Sequence, residues 1–146
     1  MTQALNQFAQ TPEKGQLTLD SNWSTINAQV SVNQATSLVV GQAVLIEDAT
    51  GAQIPVTDIA AVTNAIFGFV VYNVRTESYG AEENVKIARK GDVMYMEASA
   101  AIARGAEVEV VISGNKVATQ TAGTVVGLAL DKAAADGDLI RVEILV

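Results

Sequence analysis

Residues 102–117 read "IARGAEVEVVISGNKV". The fold turns on whether the glycines of this stretch hold a ligand or bend the chain. Glu107, Val108, Glu109 and Val110 alternate polar and apolar side chains, the period of a strand with one wet face. Gly105 precedes that strand, and Ser113, Gly114 and Asn115 follow it in the manner of a hairpin turn. Neither glycine belongs to G-x-G-x-x-G or to G-x-x-x-x-G-K-S/T, and no helix follows whose N-terminus would hold a phosphate. The stretch therefore reads as turn, strand, turn, and its glycines as architecture.

The same design occurs earlier in the chain. "LVVGQAVLIEDATGAQI", residues 38–54, sets Gly41 against Gly105, Gly51 against Gly114, and Val44 and Ile46 against Val108 and Val110. "AIFGFVVYNV" then aligns with "TVVGLALDKA", Gly68 against Gly127. "SYGAEENVKI" aligns with "AADGDLIRVEI", Gly80 against Gly137, with Val85 and Ile87 near Ile140 and Val142. The separation shrinks along the chain, as in a duplicated unit whose loops have been trimmed. Two related β units are expected, at about 36–89 and 98–146, with "GDVMYME" (residues 91–97) as a strand between them. Short strands at regular spacing with glycine turns predict a mainly all-β fold, a compact β-barrel or β-sandwich. "TDIAAVTNAI" (57–66) and "EASAAIARG" (97–105) are expected to supply one or two short helices, since alanine costs a helix little.

Residues 1–33 differ from the rest. They are rich in Gln, Asn, Ser and Thr, with Leu5, Phe8, Leu17, Leu19, Trp23 and Ile26 spread thinly and Pro12 and Gly15 as breakers. This segment reads as an extended polar arm preceding a single β-rich domain over 34–146. The only tryptophan of the chain lies in it. An amphipathic ring on a polar arm serves either as an anchor to its own domain or as a contact hot spot.

Composition narrows the function classes. The 146 residues suit one domain. They are 49% hydrophobic but only 5% aromatic, so the core is aliphatic. Nine basic against 16 acidic residues give a net charge of −7, which opposes binding to a bare phosphate backbone; no nucleic-acid partner is expected. There is no Cys and no His, which removes disulfides, thiol nucleophiles, imidazole bases and Cys/His zinc sites. The N-terminus lacks the basic and apolar regions of a signal peptide, and no apolar run spans a membrane, so no membrane partner is expected.

Three carboxylate groups require weighing: Glu47–Asp48, Glu82–Glu83 and Asp131/Asp136/Asp138. None has calcium-loop spacing, and the seven aromatic residues do not cluster around a pair as a glycosidase site would require. No G-x-S-x-G or S-x-x-K is present. No catalytic residue, metal or cofactor is assigned, and no enzyme activity is expected.

The segments at Gly91–Val93, Ala100–Val108 and Gly127–Ile144 resemble the capsid cement, or head decoration, proteins of tailed bacteriophages, and the resemblance extends over roughly residues 35–146. It implies a structural virion protein, made in the host bacterial cytoplasm. Such a protein sits on the outer capsid surface where major capsid protein subunits meet, bound as a homodimer or homotrimer, and stabilises the shell. The resemblance carries no site residue with it. From the arm reading alone, Leu5, Phe8, Leu17 and Trp23 are the expected capsid or sister-subunit contacts. A β-rich carbohydrate- or receptor-binding module is the alternative, and it requires a surface cluster of aromatics.

Overall fold

The computed structural model describes residues 12–47 and 53–146. Twelve strands make up the regular structure there. They are β1 (Ile26–Val30), β2 (Leu38–Val39), β3 (Ala43–Ile46), β4 (Pro55–Asp58), β5 (Gly68–Val70), β6 (Ser78–Tyr79), β7 (Asn84–Ala88), β8 (Val93–Glu97), β9 (Glu107–Val111), β10 (Lys116–Thr119), β11 (Gly127–Ala129) and β12 (Leu139–Ile144). β1, β4, β3, β5 and β7 close into a barrel. β10, β9, β11, β12 and β8 form a five-stranded sheet, and β2 pairs with β6.

The two five-stranded units match strand for strand. The order β4-β3-β5-β7-β1 in the first is the order β10-β9-β11-β12-β8 in the second. Register matches as well. Val44 and Ile46 face Asp58 and Val56, while Val108 and Val110 face Thr119 and Val117. Gly41 N–H donates to the Val70 carbonyl (2.8 Å), and Gly105 N–H to that of Ala129 (2.7 Å). Both glycines sit at positive φ (78° and 86°), where a side chain is strained. Closure matches too. The barrel is shut by the parallel pair Val30–Val56, and the second unit has the parallel bridge Ala98–Val117.

Each unit takes in one strand more than the glycine spacing indicates, β1 in the first and β8 in the second. Ile26–Val30 falls inside the stretch expected to be arm, yet it is a barrel strand. Ala28 and Val30 are buried and alternate with the polar Asn27 and Gln29, so strand periodicity is hidden in amide-rich text. The counterpart of Gly137 is Glu82, not Gly80. Glu82 N–H donates to the Val30 carbonyl (2.9 Å) and Gly137 N–H to that of Ala98 (2.8 Å), at φ of 68° and 93°.

No helix occurs among the described residues, which corrects the expectation of one or two short helices. In 57–66, Asn64 Oδ1 accepts the N–H groups of Ala60 (3.0 Å) and Ala61 (2.9 Å), so a side chain takes the donors a helix would use. In 97–105 the backbone bonds to distant strands. Ser99 N–H donates to the Val117 carbonyl, and Ile102 and Ala133 exchange both of their bonds. Tertiary pairing overrides the weak preference of alanine.

The barrel interior is aliphatic, with Val30, Val44, Val56, Val70, Val85 and Ile87 all buried. Met94, Met96, Val108, Val110, Ile140 and Val142 fill the second unit. Phe69 and Ala88 point out of the barrel and join that second cluster, so one continuous apolar contact fuses the two units. At equivalent places the strands approach too closely for a side chain. A Cβ at Gly68 would lie 2.3 Å from the Ala88 carbonyl oxygen, and one at Gly127 2.8 Å from that of Glu143. Gly68→Ala and Gly127→Ala are each expected to cost about 1–3 kcal/mol by overpacking. Gly80→Ala is the control, its nearest neighbour being 3.7 Å away, and should be near neutral. Urea unfolding midpoints check the three; equal midpoints would remove the close-approach argument.

Candidate interaction surface

The described part of the N-terminal segment, residues 12–25, is bound along β8. Gly15 N–H donates to the Tyr95 carbonyl (2.7 Å), Tyr95 N–H to that of Gln16 (2.9 Å), and Thr18 N–H to that of Val93 (2.9 Å). Leu17 forms an antiparallel bridge with Met94, and its half-buried side chain packs on the second cluster. The opposite side of Gly15 is also used, its carbonyl accepting Tyr72 N–H (2.9 Å). A Cβ on Gly15 would stand 2.9 Å from the Gly41 nitrogen, so glycine is what allows the segment into the seam between the units.

Asp92 fixes the second half of the segment. Its carboxylate is fully buried. Oδ1 accepts from Ser21 Oγ (2.9 Å) and Ser24 N–H, and Oδ2 from Arg89 N–H (3.0 Å). A buried carboxylate held by three donors organises everything bonded to it. Asn22 N–H donates to the Gly91 carbonyl (3.2 Å) and Trp23 N–H to Ser21 Oγ (3.2 Å). The result is Trp23 at φ +55°, a region a bulky residue rarely enters, with its side chain 61% exposed. The strain is offset by the Asp92 network, and its product is an aromatic ring held out in solvent.

Two charge clusters brace the same segment. Arg141 reaches Asp131 through Nε (2.9 Å) and Nη2 (2.8 Å), and Asp20 through Nη1 (2.9 Å). Arg141 holds the Asp131 carboxyl down at about 2. Lys14 Nζ donates to the Gly114 carbonyl (2.8 Å) and lies 3.6 Å from Glu97, which also pairs with Lys116 (3.1 Å). Burial pushes the Lys14 ammonium down against the pull of Glu97. Hydrogen bonding to Asp136 and Glu97 raises that of Lys116.

Beside the segment lies a cleft of about 530 Å³. Leu17, Trp23, Val71, Tyr72 and Val74 form its apolar walls; Thr25, just before β1, Asn27 of β1, and Asn84 and Lys86 of β7 also line it. Tyr79 closes the base, its pKa raised by burial. Val74 is 85% exposed, so with Trp23 the cleft carries large apolar groups in water. Such groups mark contact surfaces when they gather rather than scatter. No cluster of metal-ligating side chains is found among the described residues.

Of the four contact residues expected from sequence, Leu17 and Trp23 come together at this cleft. Leu5 and Phe8 lie outside the described residues. Sequence reading did not identify Val74, Tyr72 or Asp92. Leu17 and Leu19 alternate as a strand would, a signal hidden by the surrounding polar text. Nothing in "KGDV" marks Asp92 as buried, because two of its three donors lie some seventy residues away.

The structural cement protein family (E217 gp24/Pam3 gp6) matches residues 3–145. The chain belongs to that family. No curated protein matches. Among solved structures, the head fiber gp8.5 N base of bacteriophage phi29 shares the fold, with a TM-score of 0.52 at 14% identity, covering 82% of this chain and 92% of that one.

Two predictions follow from the bracing. Asp92→Ala leaves the donors of Ser21, Ser24 and Arg89 without an acceptor and is expected to cost about 3 kcal/mol. It should also release Trp23, read as a red-shifted emission and faster exchange of the Ser24 amide; an unchanged Trp23 spectrum would contradict the assigned hub. The Asp131 pair sets an acid limit. Its carboxyl titrates near ~3.9 when unfolded and at about 2 when folded. The folded state therefore holds this proton less tightly, and the pair's contribution is complete above the unfolded value and lost as pH falls through the folded one. Both partners are about a third exposed, which limits the contribution to about 1 kcal/mol after screening. Asp131→Asn should lower the urea midpoint at neutral pH and match the parent chain near pH 2.

Proposed function

We propose that this chain binds the outer surface of a phage capsid and stabilises it by bridging major capsid protein subunits. The ground for the proposal is firm at the coarse level. The family match over 3–145 makes the chain a structural virion protein of the phage capsid. The observation that carries the finer reading is the apolar surface at the cleft. Trp23, on a segment that the Asp92 network keeps in place, and Val74 are both exposed there, and a protein with no partner for that surface would gain by burying it. Bound copies would act through many modest contacts repeated over a symmetric shell, where avidity replaces a single tight site. Synthesis in the host bacterial cytoplasm accords with a chain that lacks cysteine.

The carbohydrate-module reading gains one observation. Trp23, Tyr72 and Tyr79 share the cleft with Asn27, Asn73 and Asn84. Tyr79, however, is buried, so the Trp23 ring is the principal open face. A single open ring beside exposed aliphatic side chains suits a protein surface better than a sugar.

The test is co-sedimentation with expanded heads lacking this protein. The parent chain should saturate the heads and raise the temperature at which they release DNA. Trp23→Ala combined with Val74→Asp is expected to weaken binding at least tenfold, the loss of one hot spot. Unchanged occupancy of the double variant would refute the assignment of this surface, and heads indifferent to the parent chain would refute the bridging role.

A further inference from the structure

The two units carry a cation at the same place and treat it differently. Arg141 of β12 faces Tyr95, and Lys86 of β7 faces Asn27 in the equivalent register. Val71 N–H donates to the Lys86 carbonyl (3.0 Å) as Leu130 N–H donates to that of Arg141 (2.9 Å), so Tyr72 is the counterpart of Asp131. Arg141 is held by two carboxylates, Asp131 (2.8 Å) and Asp20 (2.9 Å). At Lys86 the first of these is replaced by the Tyr72 side chain, and the ion pairs of the described residues do not include Lys86. Lys86 is exposed, and among the described residues it is the only charged side chain that lines the cleft, in a chain of net charge −7. Glu83, which acts on Tyr79 at the base, has its carboxylate bonded to the Gly80 N–H (3.1 Å). The cleft thus presents one ammonium beside apolar and aromatic walls.

We propose that this cleft takes an acidic–apolar segment of the capsid partner, with one large apolar side chain against Trp23 and Tyr72 and a carboxylate on Lys86. The inference rests on the capsid-binding reading and names what the partner must present there. Charge complementarity chooses the occupant. The equivalent cation, Arg141, shows what this position holds when it is filled, a carboxylate that one side of the pair brings from another segment of chain. Apolar walls around an ammonium exclude water once the cleft is occupied, so the pair counts for more there than on an open surface. A volume of about 530 Å³ admits a large side chain with its neighbour. A net charge of −7 repels a polyanion and leaves a single carboxylate as the fitting anion. The chain's own remaining residues do not match this chemistry. Residues 1–11 carry Leu5 and Phe8 but no carboxylate, and residues 48–52 carry Asp48 but no large apolar side chain.

Two assays on the full-length chain test it. The first is co-sedimentation with heads lacking this protein. Lys86→Glu is expected to weaken binding about tenfold, while Lys86→Arg stays within about twofold of the parent chain. Lys132→Glu makes the same change of net charge at an exposed position outside the cleft and should bind as the parent does. The second assay reads Trp23, the sole tryptophan, with two synthetic probes, acetyl-Phe-Glu-amide and acetyl-Phe-Gln-amide. The Glu probe should shift its emission saturably and bind about fivefold tighter at low ionic strength, a preference lost in Lys86→Gln and in high salt. Asp48→Asn should leave that preference unchanged. Equal binding of the two probes, a Trp23 emission that neither moves, or a Lys86→Glu chain that binds heads as the parent does would each overturn the proposal. A preference that grows in Asp48→Asn would assign the carboxylate to the chain itself and overturn it as well. Heads lost by the Trp23 and Val74 double variant but kept by Lys86→Glu would leave the capsid role standing without the acidic partner. Heads that ignore the parent chain would remove the capsid role, and with it the partner named here.

Discussion

The parallel pairing of Val30 with Val56 is the constraint on which the rest of the molecule depends. Four of the five contacts in the barrel are antiparallel. The fifth joins strands that run the same way, which no hairpin can do. It closes the sheet, shuts Val44, Val56, Val70 and Ile87 inside, and removes most of the edge that an open sheet would present. It also ends early. Among the described residues β4 pairs only with Gln29 and Val30, and the first residues of β1 have no partner on that side. The same geometry holds in the second unit, where Ala98 meets Val117 and the start of β8 is left over. One topological event, used twice, thus produces two short strand ends that need an answer.

The answer in the second unit explains how residues 12–25 are held despite their polar composition. Amide-rich text with few apolar residues does not build a core. It does not have to, because β8 supplies backbone donors and acceptors, Leu17 takes one apolar seat, and Asp92 gathers three donors at the far end. Ion pairs at Lys14 and Arg141 add little individually, since water still reaches them. Their value is positional: they hold the two ends of the segment while the backbone bonds bind its middle. A surface built in this way can be strained, as Trp23 is, without loosening the core beneath it.

The fold class was legible in the chain because its signals are local. The alternation of Glu107 to Val110 and the glycines at 41, 68, 105 and 127 each report on a few neighbouring residues, and a duplicated unit states them twice. The missed parts are those with partners elsewhere. β1 looks like arm because only Ala28 and Val30 face inward. The helices expected at 57–66 and 97–105 gave way to Asn64 and to bridges with Val117 and Ala133. Glu82 took the left-handed position that spacing assigned to a glycine, because the Val30 carbonyl fixes its backbone. At the surface, Trp23 stood out as the only residue of its kind, whereas Val74 and Tyr72 are ordinary strand-end residues until a cleft gives them a common neighbour.

Function in such a protein lies in what the two copies of the unit do differently. Arg141 of the second unit is clamped between Asp131 and Asp20; its counterpart Lys86 lines the cleft with no ion pair among the described residues. Asp131 corresponds in register to Tyr72, so a charged clamp in one unit is an aromatic wall in the other. Tyr95 is covered by the arm, while Asn27 faces the cleft. Backbone physics keeps both units in one fold, because the glycines and the closure pairs tolerate no change. Side chains outside those positions were free to diverge, and they diverged in one direction. One unit is sealed by its own chain, and the other is left apolar, aromatic and open.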